Sequence, residues 1–477
     1  MTGSDPPRPP VTGGDGRPGE LAIVLHTHMP YVEGFGSWPF GEEWLWEAIA
    51  GCYLPLLEIL DRGAQLTLSV TPVLCDQLEA PGLADRFRSF LVDVRRETHR
   101  IDAATMRAAG EPLLAAELER AAGDYEQALA RFEEIDGDVL GRLAAHATWT
   151  SSATHAVLPM CATDAGARLQ IAAGIAGHRA RCGAWGGGFW LPECAYAPWL
   201  DPLLAAAGVR ASCVDLTDHF GLGSPDQLRP LRSSAGPLLV PIDRASIELV
   251  WHDDGYPSDG GYRDHHHLTA CHHRPWANDG GSYDHDRALG LARTHAADFV
   301  SRTIERLRPG GGLVVCAMDT EFLGHWWYEG IAWLEAVIDE AGRQGLRLAA
   351  LDDALARHEA VDLAAGDLGV SSWGAGRDLS TWDCPAVAGL AFAARDAELR
   401  TLHRGREAGE LAVRELLGVQ ASDWAFLMTR AMAGDYPLER VAGHAGNLRR
   451  ALAGEAVDPA VVRNLGVHAD IAALLEP

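Results

Sequence analysis

Two carboxylates in aromatic surroundings are the residues of this sequence with the clearest chemical character. Glu193 follows a glycine-rich turn and an apolar run, and its neighbours include Trp190 and Tyr196. Asp319 ends the apolar run 313–318 and precedes a segment rich in aromatic residues. Each acid is therefore predicted to end a strand at the mouth of a β/α unit, where reactive groups gather in barrels and doubly wound folds. A structural ion pair with a nearby arginine is the alternative role for Glu193.

Two strand-end acids of this kind are what glycoside chemistry requires. One can attack or stabilise the anomeric carbon of a sugar while the other transfers the proton. The aromatic neighbours suit the same substrate, because the C–H faces of a sugar ring pack on π surfaces. The two acids lie far apart in sequence, so only the fold can bring them together.

Both segments resemble a known family of enzymes. The sequences GFWLPECAY at 188–196 and MDTEFLGHWWYEG at 318–330 are similar to the two catalytic segments of glycoside hydrolase family 57, in particular of its 1,4-α-glucan branching enzymes. Further stretches match in the order of the family: HTHMPY at 26–31, TSSATH at 150–155, SSWG at 371–374 and QASDWAFL at 420–427. The last of these resembles the helical domain of the branching enzymes.

The resemblance implies a reaction and roles for the two acids. An α-1,4 bond would be cleaved with retention and the chain transferred to a sugar 6-hydroxyl, with Glu193 as nucleophile and Asp319 as acid/base. Retention predicts carboxyl groups about 5–5.5 Å apart. An α-glucan hydrolase or a 4-α-glucanotransferase on the same scaffold is the nearer alternative. A non-catalytic glucan-binding protein is the alternative from another class.

Three histidines are candidates for the same site. His26 and His28 alternate at the end of a strand predicted at 21–25, so both rings can point into one pocket. A metal would need a third ligand of matched geometry, and none is nearby in sequence. The resemblance implies instead that these rings line the sugar site, so no metal and no cofactor are predicted. His155 is the third candidate, with capping or packing as an equal alternative.

A long glycine-rich segment at 255–264 is predicted to be a mobile loop. Branching enzymes of the family carry a similar loop with a tyrosine that positions the acceptor chain, which makes Tyr256 and Tyr262 candidates. The histidine-rich segment 265–279 departs from the family pattern and retains only Trp276 as a sugar platform. A solvated loop is favoured there over a metal-binding histidine cluster.

Several other side chains are predicted to contact the substrate. Trp373 and Trp382 lie in a loop rather than on an apolar helical stripe, which favours stacking on sugar, and Asp215 at a strand end would orient sugar hydroxyls. Trp373, Trp382 and the loop 255–264 are candidates to shield the glycosyl-enzyme intermediate from water. The remaining candidates come from the matched segments and from an early glycine-rich loop: Trp38, Trp190, His325 and Asp423.

The predicted fold is a distorted parallel (β/α)7 barrel, seven-stranded as the resemblance implies, with a helical insertion and an α-helical C-terminal domain. Glu/Arg/Ala periodicity without a strand places the insertion at about 80–145. The predicted boundaries are a disordered tail at 1–18, the barrel at 19–365 and the C-terminal domain at 366–477. Short strands are expected at 211–215, 238–242 and 246–251.

Composition limits the partners of the chain. Its 477 residues carry a formal net charge of −26, which argues against nucleic acid and anionic membranes and fits a neutral polysaccharide such as an α-1,4-glucan. The nine cysteines form no C-x-x-C pair, which indicates a reducing cytoplasm. No apolar run reaches the roughly 20 residues that span a bilayer. The sequence carries no indication of an oligomeric state.

Overall fold

The strands join into one curled, mostly parallel sheet in this computed structural model, which describes residues 11–14, 16, 18–36, 41–364, 366–457 and 463–475. In chain order the strands are β1 (Gly19–Thr27), β2 (Thr67–Val70), β3 (Ala147–Ser151), β4 (Gly188–Trp190), β5 (Ala211–Val214), β6 (Leu231–Arg232), β7 (Leu238–Pro241), β8 (Gly312–Asp319), β9 (Arg347–Leu348) and β10 (Val361–Asp362). Their order across the sheet is β10, β6, β7, β5, β4, β3, β2, β1, β8, and β9 also pairs with β1.

Seven of these strands form a parallel series that curls towards closure. They are β1, β2, β3, β4, β5, β7 and β8, and each is parallel to its neighbours in the series. The backbone N–H of Asp243, just after β7, donates to the carbonyl of Val315 in β8 at 2.8 Å and so links the two ends of the series. The predicted distorted seven-stranded barrel is confirmed. Its long strands are apolar on both faces, because helices cover a parallel sheet outside.

Helices connect the strands and surround the sheet. Around the barrel they are α1 (Glu42–Ala48), α2 (Leu54–Asp61), α3 (Pro72–Leu78), α8 (Asp164–Cys182), α9 (Asp201–Ala206), α10 (Thr217–Phe220), α11 (Arg244–Ile247), α12 (His285–Leu307), α13 (Gly330–Gln344) and α14 (Leu351–Leu355). The stretch between β2 and β3 holds α4 (Leu83–Ser89), α5 (Arg96–Ala108), α6 (Pro112–Glu134) and α7 (Val139–Ala144), which agrees with the helical insertion expected there. The C-terminal region holds α15 (Ala388–Arg404), α16 (Gly409–Gln420), α17 (Asp423–Thr429), α18 (Tyr436–Leu452) and α19 (Ile471–Leu475).

The C-terminal helices pack on the mouth of the barrel and share a hydrophobic core with it. Leu416 and Trp424 of this region are buried with Tyr31 and Leu169 of the barrel. Polar contacts cross the same boundary, since the hydroxyl of Thr154 donates to the carbonyl of Leu417 at 2.6 Å. The C-terminal helices therefore form part of the wall around the strand ends.

Two local predictions differ from the structure. The strand predicted at 246–251 is wrong, because the carbonyl of Asp243 accepts the N–H groups of Ser246 and Ile247 and starts the helical turn α11 instead. The predicted tail is also too long, because Val11 and Gly14 already bond to the folded chain through their backbone N–H groups. Residues 1–10 of the tail and Trp38 lie outside the described residues. Over the described part of the chain, no helix is both long and apolar enough to cross a membrane.

Candidate active site

The carboxyl ends of β1, β3, β4 and β8 bring the candidate side chains together. His26 of β1 lies opposite Asp319 of β8 in the register of the two strands. The ring of His26 stacks on Trp190 with centroids 4.6 Å apart, and its Nε2 is 2.9 Å from Nε2 of His155. Parallel strands end at one edge of a sheet, so residues that are distant in sequence meet here.

Glu193 sits in a strained turn directly after β4. Its backbone φ of 61° lies in the left-handed region, and so does the φ of 49° at Cys194. Such a conformation costs about 1–3 kcal/mol at each residue that is not glycine, and it persists only where the surroundings hold it. Here the surroundings include the segment 371–373, which pairs with the turn through reciprocal backbone bonds between Tyr196 and Ser371 at 2.9 and 3.0 Å.

Trp373 binds Glu193 through both its backbone and its side chain. The backbone N–H of Trp373 donates to the carbonyl of Glu193, and the indole Nε1 donates to the carboxylate Oε2, each at 2.9 Å. Arg244 holds the other side of Trp373 by donating to its carbonyl at 2.9 Å. The predicted stacking of Trp373 on sugar therefore stays a prediction. Its two hydrogen bonds to Glu193 indicate that Trp373 fixes the position of the carboxylate.

Asp215 fixes Arg244 and does not face a sugar. Its Oδ2 accepts from Arg244 Nη2 at 2.7 Å, and its Oδ1 accepts the backbone N–H of Thr217 at 2.9 Å. The side chain is fully buried, so the predicted contact with sugar hydroxyls is wrong. Asp215 acts on Glu193 only indirectly, through Arg244 and Trp373.

Two residues at the start of α17 complete the site from the C-terminal side. Asp423 Oδ1 is 2.9 Å from Nε2 of His28, and the hydroxyl of Ser422 is 2.9 Å from Nδ1 of His155. Nδ1 of His155 is in turn 3.8 Å from Oε1 of Glu193. The C-terminal helices thus position the imidazoles beside the Glu193 carboxylate.

The environment separates the two carboxyl groups in acidity. Burial raises the pKa of Asp319 well above its ordinary value, and the negative charges of Glu193, Glu321 and Asp423 raise it further. Hydrogen-bond donors to Asp319 are not among the causes of this shift. These effects favour the protonated form of Asp319, which is the form that a proton donor requires.

Glu193 is the more acidic member of the pair. Burial raises the pKa of Glu193 to about 7, but a hydrogen bond from Trp373 opposes that rise. Asp423 adds to the rise, whereas the positive charge of His28 and a hydrogen bond from Ser422 oppose it. Because Glu193 has donors and a cationic neighbour, it ionises before Asp319 does.

The pKa shifts of the three imidazoles differ in direction. Burial acts to lower the pKa of His28, but the charge and hydrogen bond of Asp423 raise it overall. Burial, followed by repulsion from His28, lowers the pKa of His26 and His155 well below the ordinary value. The site therefore holds one ring whose pairing with a carboxylate favours the charged form, and two rings that favour the neutral form and hydrogen-bond to each other.

His28, His155 and Asp423 are also close enough to be considered as metal ligands, since their ligand atoms lie within 4.8 Å of one another. Each of them already has a hydrogen-bond partner inside the site: His28 pairs with Asp423, and His155 bonds to His26 and Ser422. These partners favour hydrogen-bonding roles over metal ligation.

Aromatic side chains near the site differ in their access to solvent. Trp251 is 44% exposed, stacks on Phe322 with centroids 4.6 Å apart and lies 6.2 Å from the ring of Trp373. It has the exposure that a sugar platform needs. Trp382 is only 3% exposed and packs beside Val157, so its predicted role in stacking on substrate is wrong.

The loop tyrosines are anchored in the fold. Tyr262 is fully buried with its hydroxyl 2.8 Å from Nδ1 of His295, and the hydroxyl of Tyr256 donates to Asp298 at 2.6 Å. The predicted acceptor contact of Tyr262 is wrong, because no part of this side chain is accessible. For Tyr256, a mobile role conflicts with its hydrogen bond and its stacking on His295.

Trp276 and His325 are close to residues that the active site described above does not include. The ring of Trp276 stacks on His267 with centroids 3.7 Å apart, within the histidine-rich segment. His325 lines a separate cavity together with Arg95 and Arg274. Both stay predictions, because these contacts are with residues other than Glu193 and Asp319.

Comparisons with known proteins agree with this geometry. Residues 148–366 match the profile of glycosyl hydrolase family 57, and residues 390–469 match that of the 1,4-alpha-glucan branching enzyme C-terminal domain. A 1,4-alpha-glucan branching enzyme of Thermococcus kodakarensis is 31% identical over 92% of this chain and 74% of its own. A probable 1,4-alpha-glucan branching enzyme of Mycobacterium tuberculosis is 31% identical over 90% of each chain.

A solved structure extends the similarity to the fold. The GH57-type branching enzyme from Pyrococcus horikoshii superposes with a TM-score of 0.83 at 28% identity, over 91% of this chain and 89% of that one. With these relatives, the chain belongs to glycoside hydrolase family 57.

Several residues of the site were missed by sequence reasoning. Glu321 accepts from the hydroxyl of Tyr53 and from the backbone N–H of His28, and burial raises the pKa of Glu321 to about 7. Its place two residues after Asp319 was a usable signal, as was the place of Ser422 beside Asp423. Arg244 had no signal, because a single arginine after a short strand forms no motif.

We predict that chelation changes neither the melting temperature nor the activity on glucan. The reason is that both ring nitrogens of His28 and of His155, and Oδ1 of Asp423, are engaged in hydrogen bonds with one another and with their neighbours. The measurement is thermal denaturation and a glucan assay before and after dialysis against a strong chelator. Loss of activity that added zinc restores would show that the histidines are metal ligands.

Proposed function

We propose that this protein is a 1,4-α-glucan branching enzyme in which Glu193 is the nucleophile and Asp319 the acid/base. The observation that carries the proposal is the difference between the two carboxyl groups. Hydrogen bonds and a cation favour ionisation of Glu193, while burial and three neighbouring acids favour the protonated form of Asp319. A retaining mechanism requires this division of protonation states.

In the first step Glu193 attacks the anomeric carbon of an α-1,4-linked glucan. The bond from that carbon to the 4-oxygen of the next sugar breaks, and Asp319 donates its proton to this leaving oxygen. The product is a glycosyl ester on Glu193 and a free chain end. Trp373 keeps the carboxylate in place by its indole bond to Oε2.

In the second step Asp319, now ionised, accepts the proton of an acceptor 6-hydroxyl. The oxygen of that hydroxyl attacks the anomeric carbon, the ester bond to Glu193 breaks, and an α-1,6 linkage forms. Two inversions leave the configuration of the transferred sugar unchanged. No electron acceptor or cofactor enters this balance.

Transfer must win over hydrolysis, since water at roughly 55 M competes for the same ester. The acceptor glucan therefore has to be held in place. The exposed ring of Trp251, beside Trp373, is the aromatic surface best positioned to hold it. This assigns to Trp251 the acceptor role that the sequence placed on the loop tyrosines.

We also propose the boundaries of the domains and the cellular compartment of the protein. The barrel spans 19–365 and the C-terminal domain 366–477, with the insertion at about 80–145. All nine cysteines are free, which supports a reducing cytoplasm as the place where the protein acts on its glucan.

Incubation with amylose tests the proposed activity. We expect the iodine stain to shift without new reducing ends, and a debranching enzyme to release the transferred chains afterwards. Glu193→Gln and Asp319→Asn should each lower the activity by roughly a thousandfold or more in a folded protein. Glu97→Gln, at an exposed acid of the insertion, is the matched control and should keep full activity.

Other outcomes of the same assay distinguish the alternatives. New reducing ends without branches would identify a hydrolase. Redistribution of chain lengths without α-1,6 linkages would identify a 4-α-glucanotransferase. Retained binding of amylose without any change in the polymer would identify a non-catalytic glucan-binding protein.

We further predict that Trp373→Phe shifts the pH dependence of activity. The pKa of Glu193 is about 7, so kcat/KM should fall as the pH drops below that value and the nucleophile becomes protonated. Removing the indole donor raises this pKa further, which should move the acidic limb upwards by about 0.5–1 pH unit. The measurement is a profile of kcat/KM against pH.

Trp382→Phe is the control for this experiment. Trp382 is buried and its indole N–H has no hydrogen-bond partner among the described residues, so the substitution changes packing and leaves the Glu193 carboxylate alone. An acidic limb at the wild-type pH in Trp373→Phe would contradict the role given to the indole bond.

A further inference from the structure

The cavity that His325 lines is polar and does not include the residues of the proposed mechanism among its lining. It measures about 90 Å³ and is enclosed by the helical insertion, by the histidine-rich segment and by the loop after Asp319. This is several times the space of about 10–15 Å³ that one water molecule needs, and it is large enough for a small polyatomic ion. Three guanidinium groups line its wall: Arg95, Arg263 and Arg274.

The carboxylates of this cavity are already paired with other residues. Glu47 binds Arg95 and accepts from the hydroxyl of Tyr125, and Glu117 binds Arg263. Asp124, the third carboxylate that lines the cavity, forms an ion pair with Arg120 and accepts a hydrogen bond from the hydroxyl of Tyr328. None of these acids is within ion-pair distance of Arg274.

Arg274 is therefore a guanidinium group that forms no ion pair with a carboxylate among the described residues. Its Nε donates to the carbonyl of His265 at 2.9 Å, and within the described ranges no carboxylate lies within 4.0 Å of it. Burial lowers the pKa of Arg274, and repulsion from Arg95 and Arg263 lowers it further, although Glu47 opposes this. Burying a charge is costly unless it is paired, and an anionic ligand could supply the pair that Arg274 lacks.

The neighbouring groups add donors and no negative charge. The buried Nε of Arg263 has no hydrogen-bond partner among the described residues. Burial and the surrounding cations lower the pKa of His265 and His273 to about 2 and that of His325 to about 4. These rings are neutral at physiological pH, and each still carries one N–H donor.

We propose that this cavity binds a phosphate-type oxyanion through Arg274 and Arg263, with the imidazoles as additional donors. The planar guanidinium fork matches the oxygens of a phosphoryl group and binds two of them at once. The chain carries a formal net charge of −26, so it repels anions over most of its surface and attraction must come from a local site. Free phosphate and the phosphoryl group of a sugar phosphate present the same chemistry.

Titration calorimetry and thermal denaturation of the full chain test this proposal, with inorganic phosphate, glucose 6-phosphate and glucose as probes at constant ionic strength. We expect saturable phosphate binding and a melting temperature that rises with phosphate at up to about 10 mM, because a ligand that binds only the folded state stabilises it. Binding of both phosphorylated probes points to the phosphoryl group alone. Binding of glucose 6-phosphate alone points to a sugar phosphate, and either result supports the site.

Two variants locate the binding. Arg274→Gln should weaken it at least about tenfold, since a charge-assisted bidentate bond is lost. Arg400→Gln removes an equal charge from the exposed face of α15 and should bind like the wild type. If Arg274→Gln does not fold, Arg274→Lys keeps the charge without the fork and should bind more weakly than the wild type.

Three results would overturn the proposal. The first is the absence of binding by either phosphorylated probe at about 10 mM to the wild-type protein. The second is phosphate binding that neither Arg274 variant weakens, which would place the anion elsewhere. The third is an equal, Arg274-dependent effect of glucose, which would identify a neutral saccharide subsite.

Discussion

The bonding between Trp373 and Glu193 is the constraint on which the rest of the site depends. Two consecutive residues in left-handed backbone conformation, Glu193 and Cys194, aim the carboxylate into the mouth of the barrel. A turn of this kind relaxes unless something holds it. The backbone and indole bonds of Trp373 hold it, and the buried pair of Asp215 and Arg244 holds Trp373. The position of the Glu193 carboxylate, just after β4, is thus set by the segment 371–373, which follows the barrel series in sequence.

The same arrangement decides which acid is ionised. Donors converge on Glu193 from Trp373 and Ser422, both of which follow the last strand of the barrel series. Burial and negative neighbours raise the pKa of Asp319 instead, which favours its protonated form. The C-terminal helices are therefore part of the catalytic electrostatics as well as of the core. This coupling explains why the barrel and the C-terminal region share a continuous hydrophobic cluster.

The sequence predicted the elements whose signal is local. The strands predicted at 211–215 and 238–242 and the position of both acids at or just after strand ends agree with the structure, because apolar runs and turn residues determine them. It failed where long-range contacts decide the outcome. Trp382 and Tyr262 look accessible in polar, glycine-rich sequence, yet each is buried by elements distant in the chain. Trp251 lay in a stretch predicted as strand, and Arg244 lay between two predicted strands, but the turn at Asp243 starts a helix there instead and leaves the ring of Trp251 exposed.

Trapping the glycosyl-enzyme tests the central assignment most directly. The variant Asp319→Ala, mixed with an α-maltosyl fluoride whose leaving group needs no protonation, should form the ester on Glu193 and release it slowly, because no base remains to activate the acceptor. Mass spectrometry of the digested protein should then find the maltosyl mass on the peptide that contains residues 188–196. A label on Glu321 or Asp423, or fluoride release without any covalent adduct, would contradict the account.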